Sequence, residues 1–388
     1  MERGNVLVIG NSGVGKSTLI NAVLGDDKAK TGYGSSGITQ KLEIYENEEV
    51  PFRIIDTVGF EPSFMKQQKA INAVKKWSKN SVKEDDENTK INLIWFCIEG
   101  TTRKLFSKTI KDLSRATAMW KSVPIVVVIT KSYSVPEREE NIEMVRSVFE
   151  NQKKKLKNLK EIIPVVASTY TLNETAFAAP EGISELIDVT NKLMPEGIKA
   201  SESDVNNFKL IRKRALAQSV VGVSTASAVA IGAVPKSLSD ALILAPIEGA
   251  EIGALARIYE INKSENSKEL TDSIIEIGTV SVAAKAVIKS VNAIPNIKIT
   301  GKILNAIIAG AVVAAIGEGS IYVFDKIYTG EKSIEDIEWV KSVMNSKLSS
   351  DFINNVTSIV EKTGRGGYTK DLDKVISLIQ STFVKSKG

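Results

Sequence analysis

Residues 10–18 read Gly-Asn-Ser-Gly-Val-Gly-Lys-Ser-Thr, and no other stretch restricts the fold as much. The run fits a glycine, four free positions, and then Gly-Lys-Ser/Thr. Each residue type has a physical reason. Gly10, Gly13 and Gly15 let successive backbone N–H groups turn inward on a phosphate, with Asn11, Ser12, Val14 and Thr18 completing the cradle. Lys16 carries a point charge to the outer phosphate oxygens, and Ser17 offers a hydroxyl to Mg²⁺. Such a loop needs a strand before it and a helix N-terminus after it. Both are present: Asn5–Ile9 reads as a short buried strand, and Ser17–Leu24 reads as a helix with Leu19, Ile20, Val23 and Leu24 on its inner face.

Composition removes several other chemistries. The chain has no histidine, which excludes Ser-His and Cys-His nucleophilic pairs and every His-ligated metal site. Its one cysteine, Cys97, excludes an internal disulfide and sits in an apolar run, so a buried, inert thiol and a reducing compartment are expected. Catalysis is left to Lys, Thr, Ser, carboxylates and a bound metal. A length of 388 residues accommodates two or three domains without staples. The net charge of +5 is mild, and the one basic cluster, Lys153-Lys154-Lys155 with Lys157 and Lys160, reads as a solvated helix face or, alternatively, a contact for nucleic acid or an anionic surface. The start Met1-Glu2-Arg3-Gly4 shows no signal-peptide pattern, so a cytoplasmic protein is expected.

Through the first half, apolar runs alternate with helical patterns. Lys41–Glu46, Phe52–Asp56, Ile91–Ile98, Pro124–Thr130 and Ile162–Ala167 look like strands, and 62–80, 104–121, 136–155 and 183–193 look helical. This predicts an α/β domain with a mostly parallel, doubly wound sheet and ligands at the strands' C-terminal ends. The short spacing between the second and third strands predicts a hairpin, hence one antiparallel edge strand. Near Pro195 the pattern changes to helices alone. The expected organisation is a nucleotide domain over 1–197 and an all-α domain over 204–388. Residues 215–235 and 303–317 are uncharged. Small residues at a spacing of four (Gly222, Ala226, Ala230; Gly249, Gly253; Gly310, Ala314) suit close helix packing, either in a buried soluble hairpin or in a membrane.

The spacing of the remaining elements resembles that of the small GTPases. Asp56-Thr57-Val58-Gly59 follows the third strand, which puts Asp56 where it would hold a water on Mg²⁺ and Gly59 where its N–H would meet the γ-phosphate. In the glycine-rich loop 31–40, Thr39 matches the switch threonine, a second Mg²⁺ ligand, and Gln40 adjoins it. Thr130-Lys131-Ser132-Tyr133 matches Asn/Thr-Lys-x-Asp at Thr130 and Lys131, but Tyr133 stands where guanine's carboxylate partner would be. In Val166-Ala167-Ser168-Thr169 only Ala167 matches the Ser-Ala-Lys element, with a backbone N–H for the guanine carbonyl.

On these residues the first 195 or so resemble an Era-like GTPase domain of the translation-factor-related class. The segment from Pro235-Lys236-Ser237 through Pro246-Ile247 and Ile258-Tyr259 is similar to a bacterial helical domain of unknown function fused to such GTPases. The resemblance implies GTP and GDP as ligands, Mg²⁺ as cofactor, and catalytic roles for Lys16 and Thr39; Gln40 is a candidate for positioning the attacking water, the alternative being a group supplied in trans by a second copy. The layout also resembles immunity-related and dynamin-like GTPases, which oligomerise on membranes. An ATPase is the other alternative, because of Tyr133. No stretch matches the RNA-binding domain of Era, so a ribosomal or nucleic-acid partner is not expected. Phe60 replaces the water-positioning glutamine of Ras-like GTPases, and Asn11 sits where a potassium-coordinating asparagine would. That combination resembles GTPases activated by K⁺ or by homodimerisation.

Overall fold

The computed structural model describes residues 3–11, 13–25, 42–46, 50–57, 90–102, 107–111, 120, 122–151, 158–173, 176–234, 244–277, 281–292, 294, 299–368 and 371–384. The chain forms two compact units, Met1–Ser168 with Pro180–Arg212, and Thr169–Ala179 with Lys213–Gly388.

The first unit is built on six strands: β1 Gly4–Gly10, β2 Leu42–Tyr45, β3 Phe52–Thr57, β4 Ile91–Glu99, β5 Ile125–Thr130 and β6 Leu159–Pro164. They lie in the order β2-β3-β1-β4-β5-β6. Every neighbouring pair is parallel except β2 with β3, which is the expected antiparallel edge. Among the helices that accompany the sheet are α1 Lys16–Leu24, α2 Val135–Glu150 and α3 Ile183–Leu193. Central parallel strands are covered on both faces, which is why β1, β4 and β5 are continuous apolar runs. Adjacent residues of β4 show the two faces. Trp95 meets Phe52 edge-on at 5.7 Å and donates its Nε1–H to Thr190 Oγ1 of α3 at 2.9 Å. Phe96 points the other way and meets Phe149 of α2 at 5.9 Å.

β6 begins three residues before the expected Ile162, and Asn158 is the cause. Its side chain donates to the carbonyls of Trp120 and Val123, and its own carbonyl accepts from Ile125 N at 2.8 Å, which pins the register. As an edge strand β6 exposes Lys160 and Glu161, so an apolar count misses its first half.

The second unit contains a hairpin that the sequence pattern did not announce, β7 Tyr170–Asn173 with β8 Ala176–Ala178. Its helices are the later part of α4 Glu202–Gly232, then α5 Ala245–Ile258, α6 Ser267–Ile277, α7 Ser281–Asn292, α8 Gly301–Tyr328, α9 Ile337–Lys347, α10 Ser350–Arg365 and α11 Leu372–Phe383. α4 and α8 are long and apolar enough to cross a membrane by length and composition. The apolar window of α8 is 94% buried, the pattern of a core helix, whereas that of α4 is 44% buried. Small residues do allow close approach, at positions only partly those the spacing of four suggests. A Cβ on Gly310 would lie 2.5 Å from Val229 Cγ2, and one on Gly317 would lie 2.6 Å from both Val221 Cγ2 and Glu251 Oε1. A Cβ on Gly249 or Gly253 would meet nothing within 4 Å among the described residues.

Beside that contact lies a group of buried acids: Glu248 and Glu251 of α5 and Glu318 of α8. Neither Glu251 oxygen, nor Glu248 Oε1, has a hydrogen-bond partner among the described residues.

Candidate functional site

The loop leaves the sheet where β1 ends. A Cβ on Gly10 would lie 2.6 Å from the carbonyl oxygen of Cys97 on β4, so a side chain there would push the two strands apart. Gly13 and Gly15 have φ of 80° and 96°, the left-handed region where side chains strain the backbone. Helix α1 follows with Gly15 as its N-cap. Among the described residues no side chain caps it, and its first turn holds no acid. Its first amides therefore face the loop under a positive helix dipole, an arrangement suited to an anion.

Lys16 is 8% exposed, and its Nζ donates to the carbonyls of Gly10 at 3.0 Å and Asn11 at 3.1 Å, which folds the ammonium back over the loop. Val14 is buried, with its N–H on Asn11 O at 3.5 Å, while Ser17 and Thr18 are exposed on α1. Asp56 is buried in β3 with its Cα opposite Val8 of β1, next to the strand that feeds the loop. Burial pushes the Cys97 thiol up to about 12, with Lys16 pulling it down and Asp56 pushing it further up. Cys97 is therefore an inert thiol. Ser12, Thr39, Gln40, Gly59 and Phe60 lie outside the described residues.

A second set of residues reaches the loop from β5. The Thr130 hydroxyl lies within hydrogen-bonding reach of the carbonyls of Ile98, at 3.0 Å, and Val14. Lys131 takes φ of 54°, and its Nζ donates to Gly13 O at 2.9 Å and Glu99 Oε1 at 2.7 Å. Its stem thus crosses the loop, 3.9 Å from where a Cβ of Gly15 would be. Tyr133 and Ala167 are each half-buried, on neighbouring turns joined by Ser132 N donating to Val165 O at 3.2 Å.

Three residues near these turns were not anticipated. Glu99 ends β4 and pairs with Lys131. Arg138, in the first turns of α2, donates from Nε to Ser132 O at 2.9 Å and from Nη1 to Glu181 Oε2 at 2.8 Å. Glu181 in turn exchanges backbone hydrogen bonds with Val166, at 2.9 and 3.0 Å. A readable sign existed for Arg138, because a cation near a helix N-terminus opposes the dipole. Glu99 and Glu181 carry no local sign.

Comparison with known proteins bears on the same region. The family described as 50S ribosome-binding GTPase matches residues 5–131, from β1 to Lys131. GTPase Era of Clostridium botulinum (strain Eklund 17B / Type B) is 25% identical over 212 residues, which are 53% of this chain and 60% of that protein. GTPase Era of Lactobacillus helveticus (strain DPC 4571) is 24% identical over 256 residues, 63% of this chain and 74% of that protein. A solved structure of Era in complex with MgGDPNP and a segment of 16S ribosomal RNA aligns with 57% of this chain and 68% of that one, at 20% identity and a TM-score of 0.30. The N-terminal part of this chain is an Era-like P-loop GTPase domain, and a helical region follows it.

Proposed function

We propose that the protein is a Mg²⁺-dependent switch that binds and hydrolyses GTP, with its nucleotide state controlling the helical part. The observation that carries this reading is the loop 10–18 at the end of β1, opening on an uncapped helix and crossed by Lys131. In this reading the amides of residues 13–18 hold the phosphates, and Lys16 neutralises the outer oxygens. Ser17 and, through water, Asp56 would hold Mg²⁺. Hydroxyl and carboxylate are hard oxygen donors, the kind Mg²⁺ takes alongside phosphate. Among the described residues no group of three or more His, Cys, Asp or Glu is placed to hold a metal ion, so the nucleotide's own oxygens would complete the coordination. Thr39 and Gln40 would close over the γ-phosphate, Gly59 would offer it an N–H, and Thr130, Lys131 and Ala167 would frame the base. When bound, the ion would supply stabilisation of the charge that develops on the transferred phosphoryl group.

Tyr133 supports a second reading, an ATPase, because losing a carboxylate that accepts two N–H groups removes the main discriminator between guanine and adenine. Competition binding separates the two. Unlabelled GTP should displace a labelled GTP analogue better than ATP does, and equal displacement would transfer the site to the ATPase reading. The incompletely buried apolar window of α4 supports a membrane-associated, oligomerising variant of the switch in the cytoplasm. Flotation with anionic liposomes, with and without a non-hydrolysable GTP analogue, tests it: protein that stays at the bottom of the gradient in both would remove that variant.

A further inference from the structure

With Tyr133 in the carboxylate's place, discrimination of the base falls to groups whose reach is set by the backbone: the turn 130–133 and the turn 166–168. Backbone groups cannot extend to meet a ligand, so the separation of the two turns must be held by something else. Two ties run between them. Ser132 N donates to Val165 O at 3.2 Å, and Arg138 joins Ser132 O to the carboxylate of Glu181, whose backbone exchanges two hydrogen bonds with Val166. The second tie depends on side chains. The planar guanidinium fork satisfies a carbonyl and a carboxylate at once, a geometry that a lysine's point charge does not reproduce. The pair is partly shielded, with side-chain exposures of 16% for Arg138 and 32% for Glu181, so it is screened less than a surface ion pair.

We infer that Arg138 and Glu181 are a positioning pair for the base end of the nucleotide site, holding the turn after β5 at a fixed distance from the turn at Ala167. This rests on the guanine-nucleotide reading of the site. Neither side chain touches the base. They act through Ser132 and Val166, so their loss should be felt by ligands with a base and not by ligands made of phosphate alone.

The test uses the full chain and three ligands with Mg²⁺: GTP, ATP and inorganic tripolyphosphate, the last engaging only loop 10–18. Arg138→Gln and Glu181→Gln should each weaken GTP binding about three- to tenfold, as expected for a partly shielded charge-assisted pair. Tripolyphosphate affinity should change by less than about twofold, and the preference for GTP over ATP should shrink. Arg138→Lys should fall in between, because it keeps the charge without the fork. If GTP and tripolyphosphate weaken together, the pair merely supports the fold and the inference fails; unchanged GTP binding also overturns it. A wild-type protein that binds tripolyphosphate but shows no preference for GTP would instead overturn the guanine-nucleotide reading on which the inference stands.

Discussion

Replacing Glu248 with glutamine should flatten the pH dependence of stability in the helical unit. Glu248 is 2% exposed, and burial pushes its carboxyl up to about 7 from its ordinary 4.5. Its neighbour Glu251, 0% exposed, is raised well above the ordinary range, by burial first and then by Glu248 and Glu318. Among the described residues the charged groups that act on Glu251 are thus Glu248 from its own helix and Glu318 from α8, while 215–234 of α4 carries no charge. Between the two values the unfolded chain has already lost its proton and the folded chain still holds it. Stability is therefore fully present below the unfolded value and is lost as pH rises through the folded one. The slope is about 1.4 kcal/mol per pH unit for one group, so Glu248 alone accounts for roughly 3 kcal/mol across the window. Amide hydrogen exchange in α5 and α8, corrected for intrinsic rates between about pH 5 and 8, reads this directly. The wild type should lose protection as pH rises, and Glu248→Gln should lose less. Glu251→Gln should act in the same direction. A wild-type profile that is flat, or one that Glu248→Gln leaves as steep, would refute the argument and mean that these acids reach solvent or a compensating cation.

Lys16→Ala should abolish the thermal stabilisation conferred by Mg-GTP while the unliganded protein melts normally, because among the described residues the ammonium bonds only to the loop's carbonyls; undiminished stabilisation in a thermal-shift titration would count against the site. Gly317→Ala should cost about 1–3 kcal/mol in urea denaturation of the helical unit, since the new methyl meets Glu251 and Val221 at 2.6 Å. An unaffected midpoint would mean that the helices part freely there. GTP turnover per protein should rise with protein concentration and in potassium over sodium, given Phe60 in place of a water-positioning glutamine. A rate that is flat across a hundredfold dilution and indifferent to the cation leaves a slow timer.

Local rules carried a large part of the fold. The loop 10–18 could be placed between a strand and a helix because its glycines, lysine and hydroxyl are needed at fixed spacing along one short segment. The central strands β1, β4 and β5 declared themselves because burial on both faces requires unbroken apolar runs. The antiparallel edge followed from a connection too short for a crossover. Tertiary structure decided the rest, and the reason is sequence distance. Glu99 and Lys131 are 32 residues apart, Arg138 and Glu181 are 43 apart, and neither pair leaves a periodic trace. β6 slid by three residues because Asn158 finds carbonyls at Trp120 and Val123, partners that no local window contains. Small residues promised close helix contact, but only the packed unit selected Gly310 and Gly317 over Gly249 and Gly253, because close approach depends on which face meets a neighbour. The buried acids follow the same logic: a glutamate reads as solvated in a sequence, and only the helices closing around Glu251 hold it away from water, which raises its carboxyl well above the ordinary range.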